Sequence, residues 1–153
     1  MRRVEIQDEI VADASPEEVW RAIDDPVRHA DWHPFVTSID GAHALGSTRR
    51  CQVLLGKKAA ETEELCTTYD QGKTILWRID KDSSGFLRMV SDWTAGFVLE
   101  PDGSDRTRVT AHSVFRPRNP LIGLMMPMVK RKFHQVQRAV LAGLKQFAER
   151  ERG

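Results

Sequence analysis

Residues 121–150 read LIGLMMPMVKRKFHQVQRAVLAGLKQFAER. The apolar positions Ile122, Met125, Val129, Phe133, Val136, Val140, Gly143 and Phe147 recur every three or four residues, the seam of an amphipathic helix running to about Arg150. Pro127 lies inside the pattern and lacks a backbone N–H. Either the regular helix begins there or it is kinked after a shorter lead-in. Just upstream, Arg116-Pro117-Arg118-Asn119-Pro120 closes whatever precedes the helix.

One long helix with one apolar stripe needs a surface to bury it, and the preceding chain predicts a sheet. Turn signals stand at Asp40-Gly41, Leu55-Gly56-Lys57-Lys58, Asp70-Gln71-Gly72-Lys73, Ser83-Ser84-Gly85 and Pro101-Asp102-Gly103-Ser104. They delimit six strands at about 35–41, 46–55, 61–69, 73–81, 86–100 and 106–116. Each connection is short enough for a hairpin, so the strands form an antiparallel meander. A seventh strand opens the chain, where Val4, Ile6 and Ile10 alternate with polar residues and Asp8 is the exception. Ser15-Pro16-Glu17-Glu18 then starts a short helix with a capping box, Asp25-Pro26 stops it, and a second short helix covers about 26–31.

The expected fold class is α+β: a seven-stranded curved antiparallel sheet wrapped around a long C-terminal helix, with two short helices after the first strand. A long sheet twists and coils, so it diverges from a straight helix at one end and leaves a gap there. The 153 residues read as one domain, 1–153. With a formal net charge of +1 the chain has no large field for nucleic acid. Its single cluster of like charge is Lys130-Arg131-Lys132. No apolar run is long enough to cross a membrane and none follows the basic start as a secretory signal, so a cytoplasmic location is expected. Cys51 and Cys66 flank the Gly56-Lys57-Lys58 turn and are candidate cross-strand neighbours. In a reducing compartment, free thiols are the expectation. No metal signature, phosphate loop, redox motif or nucleophile triad is present, and no cofactor is expected.

Ser15-Pro16-Glu17-Glu18-Val19-Trp20, Asp31-Trp32-His33-Pro34-Phe35-Val36 and Arg131-Lys132-Phe133-His134-Gln135-Val136 running into Ala142-Gly143-Leu144-Lys145 resemble the START-like, or SRPBCC, superfamily of polyketide cyclase/dehydrase and lipid-transport proteins. The resemblance spans essentially the whole chain. It implies a helix-grip fold with an internal cavity, and a small hydrophobic partner that is lipid-like, polyketide-like or aromatic. It also places Trp32-His33-Pro34-Phe35 at the cavity mouth.

The expected ligand-binding residues are Trp32, Phe35, Tyr69, Trp77, Met89, Trp93, Met125, Val129 and Phe133. Trp32 and Phe35 would line the entrance, and Met125 and Val129 would offer adaptable apolar contact at the helix start. Trp77, Met89 and Trp93 share inward parity on their strands, and each indole N–H needs a partner. Tyr69 would donate a hydrogen bond. Catalytic residues are left open. Glu63 and Asp8 are inward by parity, with Asp8 read as a bulge position, Ser91 and Ser113 are also inward, and His33 could serve as acid or base. His112 falls on the outer face. Three functions remain in play: a carrier or sensor of a hydrophobic molecule, a cyclase or dehydratase using the same cavity, and a regulatory interaction module without a ligand.

Overall fold

The computed structural model describes residues 2–152. The chain runs β1 (Val4–Ala12), α1 (Pro16–Asp24), α2 (Pro26–Trp32), β2 (Val36–Gly41), β3 (Thr48–Leu55), β4 (Lys58–Asp70), β5 (Thr74–Asp82), a 3-10 turn at Phe86–Arg88, β6 (Val90–Pro101), β7 (Thr107–Pro117), α3 (Pro120–Gly123) and α4 (Met126–Arg152). The strands form one antiparallel sheet in the order β1-β7-β6-β5-β4-β3-β2. The chain therefore has the helix-grip architecture, a meander closed by its own first strand.

Local chemistry explains the elements. Ser15 Oγ accepts the Glu18 N–H while the Glu18 side chain accepts the Ser15 N–H, the reciprocal cap expected at this start. Asp25 caps α2 through Val27 N. Regular α4 begins at Met126, so Pro127 occupies the first turn, where its missing N–H costs nothing. Asn119 caps the separate four-residue α3.

The described strands carry four register shifts, one of them at Thr37 on β2, and the other three bear on the parity read from sequence. Ser91 pairs with Arg116 and Thr94 with Val114, so Asp92 and Trp93 together face the single residue Phe115. Asp92 takes φ of 54° there. The extra residue flips parity, so Val90 is buried on the same side as Trp93. Leu87 and Met89 belong to the 3-10 turn and its cap, not to a strand face. A second bulge leaves Thr67 unpaired on β4, and a third leaves Asp80 unpaired on β5. With these shifts Thr62, Glu64 and Cys66 face inward. Glu63 faces out and pairs with Lys81. Asp8 is inward as expected, but β1 runs in unbroken register with β7 and has no bulge there.

Cys51 stands opposite Thr62 and Cys66 opposite Trp77. They are not cross-strand neighbours, because the tight turn pairs Leu55 with Lys58 and carries Cys66 well past Cys51. Both are buried free thiols.

Two cores form where helix and sheet meet. The larger joins α1, α2 and the second half of α4 to Ile75, Leu99 and Val109. The smaller gathers Ile6, Val90, Phe115 and Met126 beneath the start of α4. The sheet thus grips the helix at both ends, and the gap lies between them.

Gly143 marks the closest helix approach. A Cβ there would sit 2.5 Å from the backbone oxygen of Trp32. In an open helix interior, glycine to alanine gains about 1 kcal/mol. Here Gly143→Ala is expected to lower stability in urea unfolding, and a gain would contradict this contact.

Candidate functional site

Between the two cores lies a cavity of about 400 Å³. It opens to solvent where the lining residues Leu55 and Lys132 are exposed. Solvent or a ligand therefore fills it.

Its floor is the middle of the sheet and its roof is α4. Trp77 and Ile79 come from β5, Trp93, Ala95 and Phe97 from β6, Ala111 and Ser113 from β7, and Phe133, Val136, Gln137 and Val140 from α4. Phe35 and Val36 close one side, with Cys51, Val53 and Ala60 beyond them. At one end Phe86, Trp93 and Phe133 form an aromatic corner, with ring centroids 5.0 to 6.1 Å apart. The Trp93 indole N–H is buried there without a partner among the described residues.

The opposite end is polar. Arg49 and Glu64 stand directly across from each other on β3 and β4. Arg49 Nε and Nη2 lie 2.9 and 2.8 Å from Glu64 Oε1, and the two side chains are only 9% and 12% exposed. Thr62 Oγ1 donates to Glu64 Oε2 at 2.7 Å. The guanidinium also donates to His43 Nε2 at 2.9 Å and stacks on Trp77 with Cζ 3.8 Å from the ring centroid.

Two more imidazoles line this end, stacked at 5.3 Å, and their bonds fix their tautomers. His29 Nδ1 lies 3.2 Å from the carbonyl of Ile23, so it carries the proton and Nε2 is an acceptor. His33 Nδ1 accepts the N–H groups of Phe35 and Val36 at 3.1 Å each, so its proton is on Nε2. Neither Nε2 has a partner among the described residues. Burial, and next the Arg49 charge, holds His29 well below the ordinary imidazole value. The same two causes lower His33 to about 3. His43 falls to about 4 through burial and Arg49, opposed by the carbonyls of Asp24 and Ile23. Burial pushes the Cys51 thiol up to about 11, so it is no nucleophile at neutral pH. Among the described residues no group of His, Cys, Asp or Glu is arranged to hold a metal ion.

Of the residues proposed from sequence, Phe35, Trp77, Trp93 and Phe133 line this cavity. The other five lie elsewhere. Trp32 is core, its indole donating to the Ala22 carbonyl at 2.8 Å and pinning α2 to α1. Tyr69 donates to Asp24 Oδ1 at 2.8 Å and packs on Trp20, beyond the cavity end. Met89 caps the 3-10 turn, and Val129 packs on the smaller core. Met125 sits in the break between α3 and α4 and is exposed, because the helical seam begins after it.

Arg49, Glu64, His29 and His43 were missed. The first two carried a signal: they are opposite charges equidistant from the Gly56-Lys57 turn. His29 stands one helical turn before His33.

The sequence profile described as polyketide cyclase/dehydrase and lipid transport matches residues 3–149. The chain belongs to this family. A search of curated protein sequences finds no match. Among solved structures it is similar to the ZhuI aromatase/cyclase from Streptomyces sp. R1128, with a TM-score of 0.79 at 15% identity over 99% of this chain and 97% of that one. It is also similar to a START superfamily protein from Mycobacterium smegmatis, with a TM-score of 0.77 at 16% identity over 95% and 97%. Norcoclaurine synthase from Thalictrum flavum gives 0.75 at 12% identity over 99% and 98%. At these identities the likeness is one of fold.

The lowered imidazoles make stability pH-dependent. Below pH 6.5 the unfolded chain binds protons that folded His29, His33 and His43 refuse. Their contribution is complete above that pH and is lost as the pH falls towards about 4 and about 3. Thermal melts are expected to shift steadily downward from about pH 6.5, before ordinary carboxylates titrate near about 4. His33→Asn, which keeps an acceptor for the Phe35 and Val36 N–H groups, is expected to flatten that slope.

Proposed function

We propose that this protein binds a small, mostly apolar, aromatic molecule bearing a hydroxyl and a carbonyl oxygen, and acts as its carrier or sensor. One observation carries the reading: an apolar cavity whose uncommitted polar atoms at the polar end are a neutral acceptor, His29 Nε2, and a neutral donor, His33 Nε2–H. Apolar walls supply the driving force, and a few polar atoms set orientation. The Trp93 N–H adds a donor at the far end. A volume of about 400 Å³ lies within the ordinary range for small-molecule pockets, about 300–1,000 Å³. The buried free thiols fit a reducing, cytoplasmic setting.

A cyclase or dehydratase would use the same space, and the polar end is where its chemistry would reside. That chemistry needs a group able to exchange a proton near the working pH. His33 at about 3 and His43 at about 4 are far from it. Both oxygens of Glu64 are already engaged by Arg49 and Thr62. Binding is therefore favoured over turnover.

The test is native mass spectrometry of the purified protein for a co-purifying molecule, with titration of a fluorescent naphthalene probe. Ala95, small and central on the floor, is the site to block. Ala95→Trp is expected to weaken probe binding at least about tenfold while the circular dichroism spectrum stays the same. A protein that carries nothing, and whose probe binding is indifferent to Ala95→Trp, would sink the proposal.

A further inference from the structure

The charge of this chain is unevenly distributed. From Thr107 to Ala148 there is no Asp or Glu, yet the segment holds eight Lys and Arg, while the whole chain nets only +1. The Lys130-Arg131-Lys132 cluster is the exposed centre of that basic stretch, and none of the three is paired with a carboxylate among the described residues. Immediately before it, at the α3–α4 break, Leu121, Leu124 and Met128 are 73%, 80% and 67% exposed. Four-fifths exposure of a leucine beside two similar neighbours is an apolar knob held in water, and such patches mark contact surfaces.

The knob precedes the cavity opening by one helical turn, from Met128 to Lys132. The lining residues that are themselves exposed mark where the cavity meets solvent, and these include Leu55 and Lys132. A shallow depression joins the same two residues across the gap between the β3–β4 turn and α4. The β3–β4 turn repeats the pattern on the other side of the opening: Leu54 and Leu55 are exposed, and Lys57 and Lys58 follow with no carboxylate partner among the described residues. Asp82 also lines the cavity, held by Ser84 and the Phe86 N–H, and its one negative charge is outnumbered by the five cations of the two tips. The opening thus has the Leu54–Leu55 tip on one side and Lys132 on the other, with the α3–α4 knob one helical turn before Lys132, and both tips are followed by lysines or arginine.

We infer that this rim docks on an anionic lipid surface, the leucines and methionine entering the acyl boundary while the cations meet the headgroups. The arrangement suits a membrane better than a protein partner. The apolar tips are separate and stand near an opening, whereas a protein interface wants one continuous apolar core with a polar rim. Docking places the cavity mouth against the phase in which an apolar cargo dissolves. The surface itself stands whatever the cavity holds.

The full chain should be sedimented with phosphatidylcholine vesicles and with vesicles of phosphatidylcholine and phosphatidylglycerol in equal parts. Binding is expected on the anionic vesicles only, and it should fall as salt rises. Each cation lost is expected to weaken it about fivefold, so Lys130→Glu with Arg131→Glu should abolish it at moderate salt. Leu124→Glu, at a site too exposed to affect folding, should also reduce it sharply. Ala95→Trp should leave vesicle binding intact, which separates this inference from the fate of the ligand proposal. No partitioning at low salt, equal binding to neutral vesicles, or indifference to Leu124→Glu would each overturn the inference. So would self-association in analytical ultracentrifugation that Leu124→Glu abolishes, with no vesicle binding, since the knob would then be a contact between copies.

Discussion

One buried carboxylate sets the distance between helix and sheet. Asp8, on the inner face of β1, is 8% exposed and receives three side chains of α4. His134 Nδ1 and Gln137 Nε2 each lie 2.8 Å from Oδ2, and Arg138 Nε lies 3.1 Å from Oδ1. A carboxylate taken out of water must find such partners or unfold its surroundings. Gln137 also accepts from Ser113 Oγ at 2.7 Å, so one helical residue ties α4 to β1 and β7 together. Further along, Lys145 Nζ donates to the Val11 carbonyl at 3.1 Å. These bonds are directional where apolar packing is not. They hold α4 at one height and one rotation over the sheet.

The cavity follows from that height and from side-chain size. Where the sheet passes beneath the middle of α4, Ala95 pairs with Ser113 on one side and with Trp77 on the other, and Phe97 pairs with Ala111. Small residues thus alternate with large ones across the floor. The large rings meet α1, α2 and the two ends of α4 and complete the cores. The small ones leave space that no neighbouring side chain reaches, because the helix is tethered too high to fill it. An apolar collapse would otherwise be worth about 25 cal/mol for each Å² removed from water. The polar tether resists that collapse.

Periodicity and turn chemistry made the elements legible, since the helical seam, the capping box at Ser15 and the glycine turns each rest on local physics. The faces were legible only as far as each strand stayed regular. A bulge shifts parity by one, and nothing in β4 announces that Thr67 is left unpaired or in β6 that Asp92 takes a positive φ. Glu63 was therefore read as the inward carboxylate where Glu64 is. Trp93 keeps the parity of Ala95 and Phe97 and lines the cavity, whereas Met89 lies beyond the bulge and caps the 3-10 turn. Trp32, expected at the entrance, and Tyr69, expected as a cavity donor, instead turn their polar atoms to Ala22 and Asp24 near α1. Such partners are distant in sequence and invisible to any local pattern.

The Arg49–Glu64 pair then determines what the polar end offers. A buried ion pair seldom adds much stability over apolar residues of equal volume, because desolvation offsets its attraction. Its consequence here is electrostatic. Glu64 takes two guanidinium nitrogens, yet burial first and the Arg49 charge second keep protons off His29, His33 and His43. A protonated His29 would present a second N–H in place of an acceptor. With that ring kept neutral, by burial first and the Arg49 charge second, the polar end presents one acceptor and one donor side by side. The nitrogens of Arg49 are themselves committed to Glu64 and His43, and its guanidinium plane to the face of Trp77.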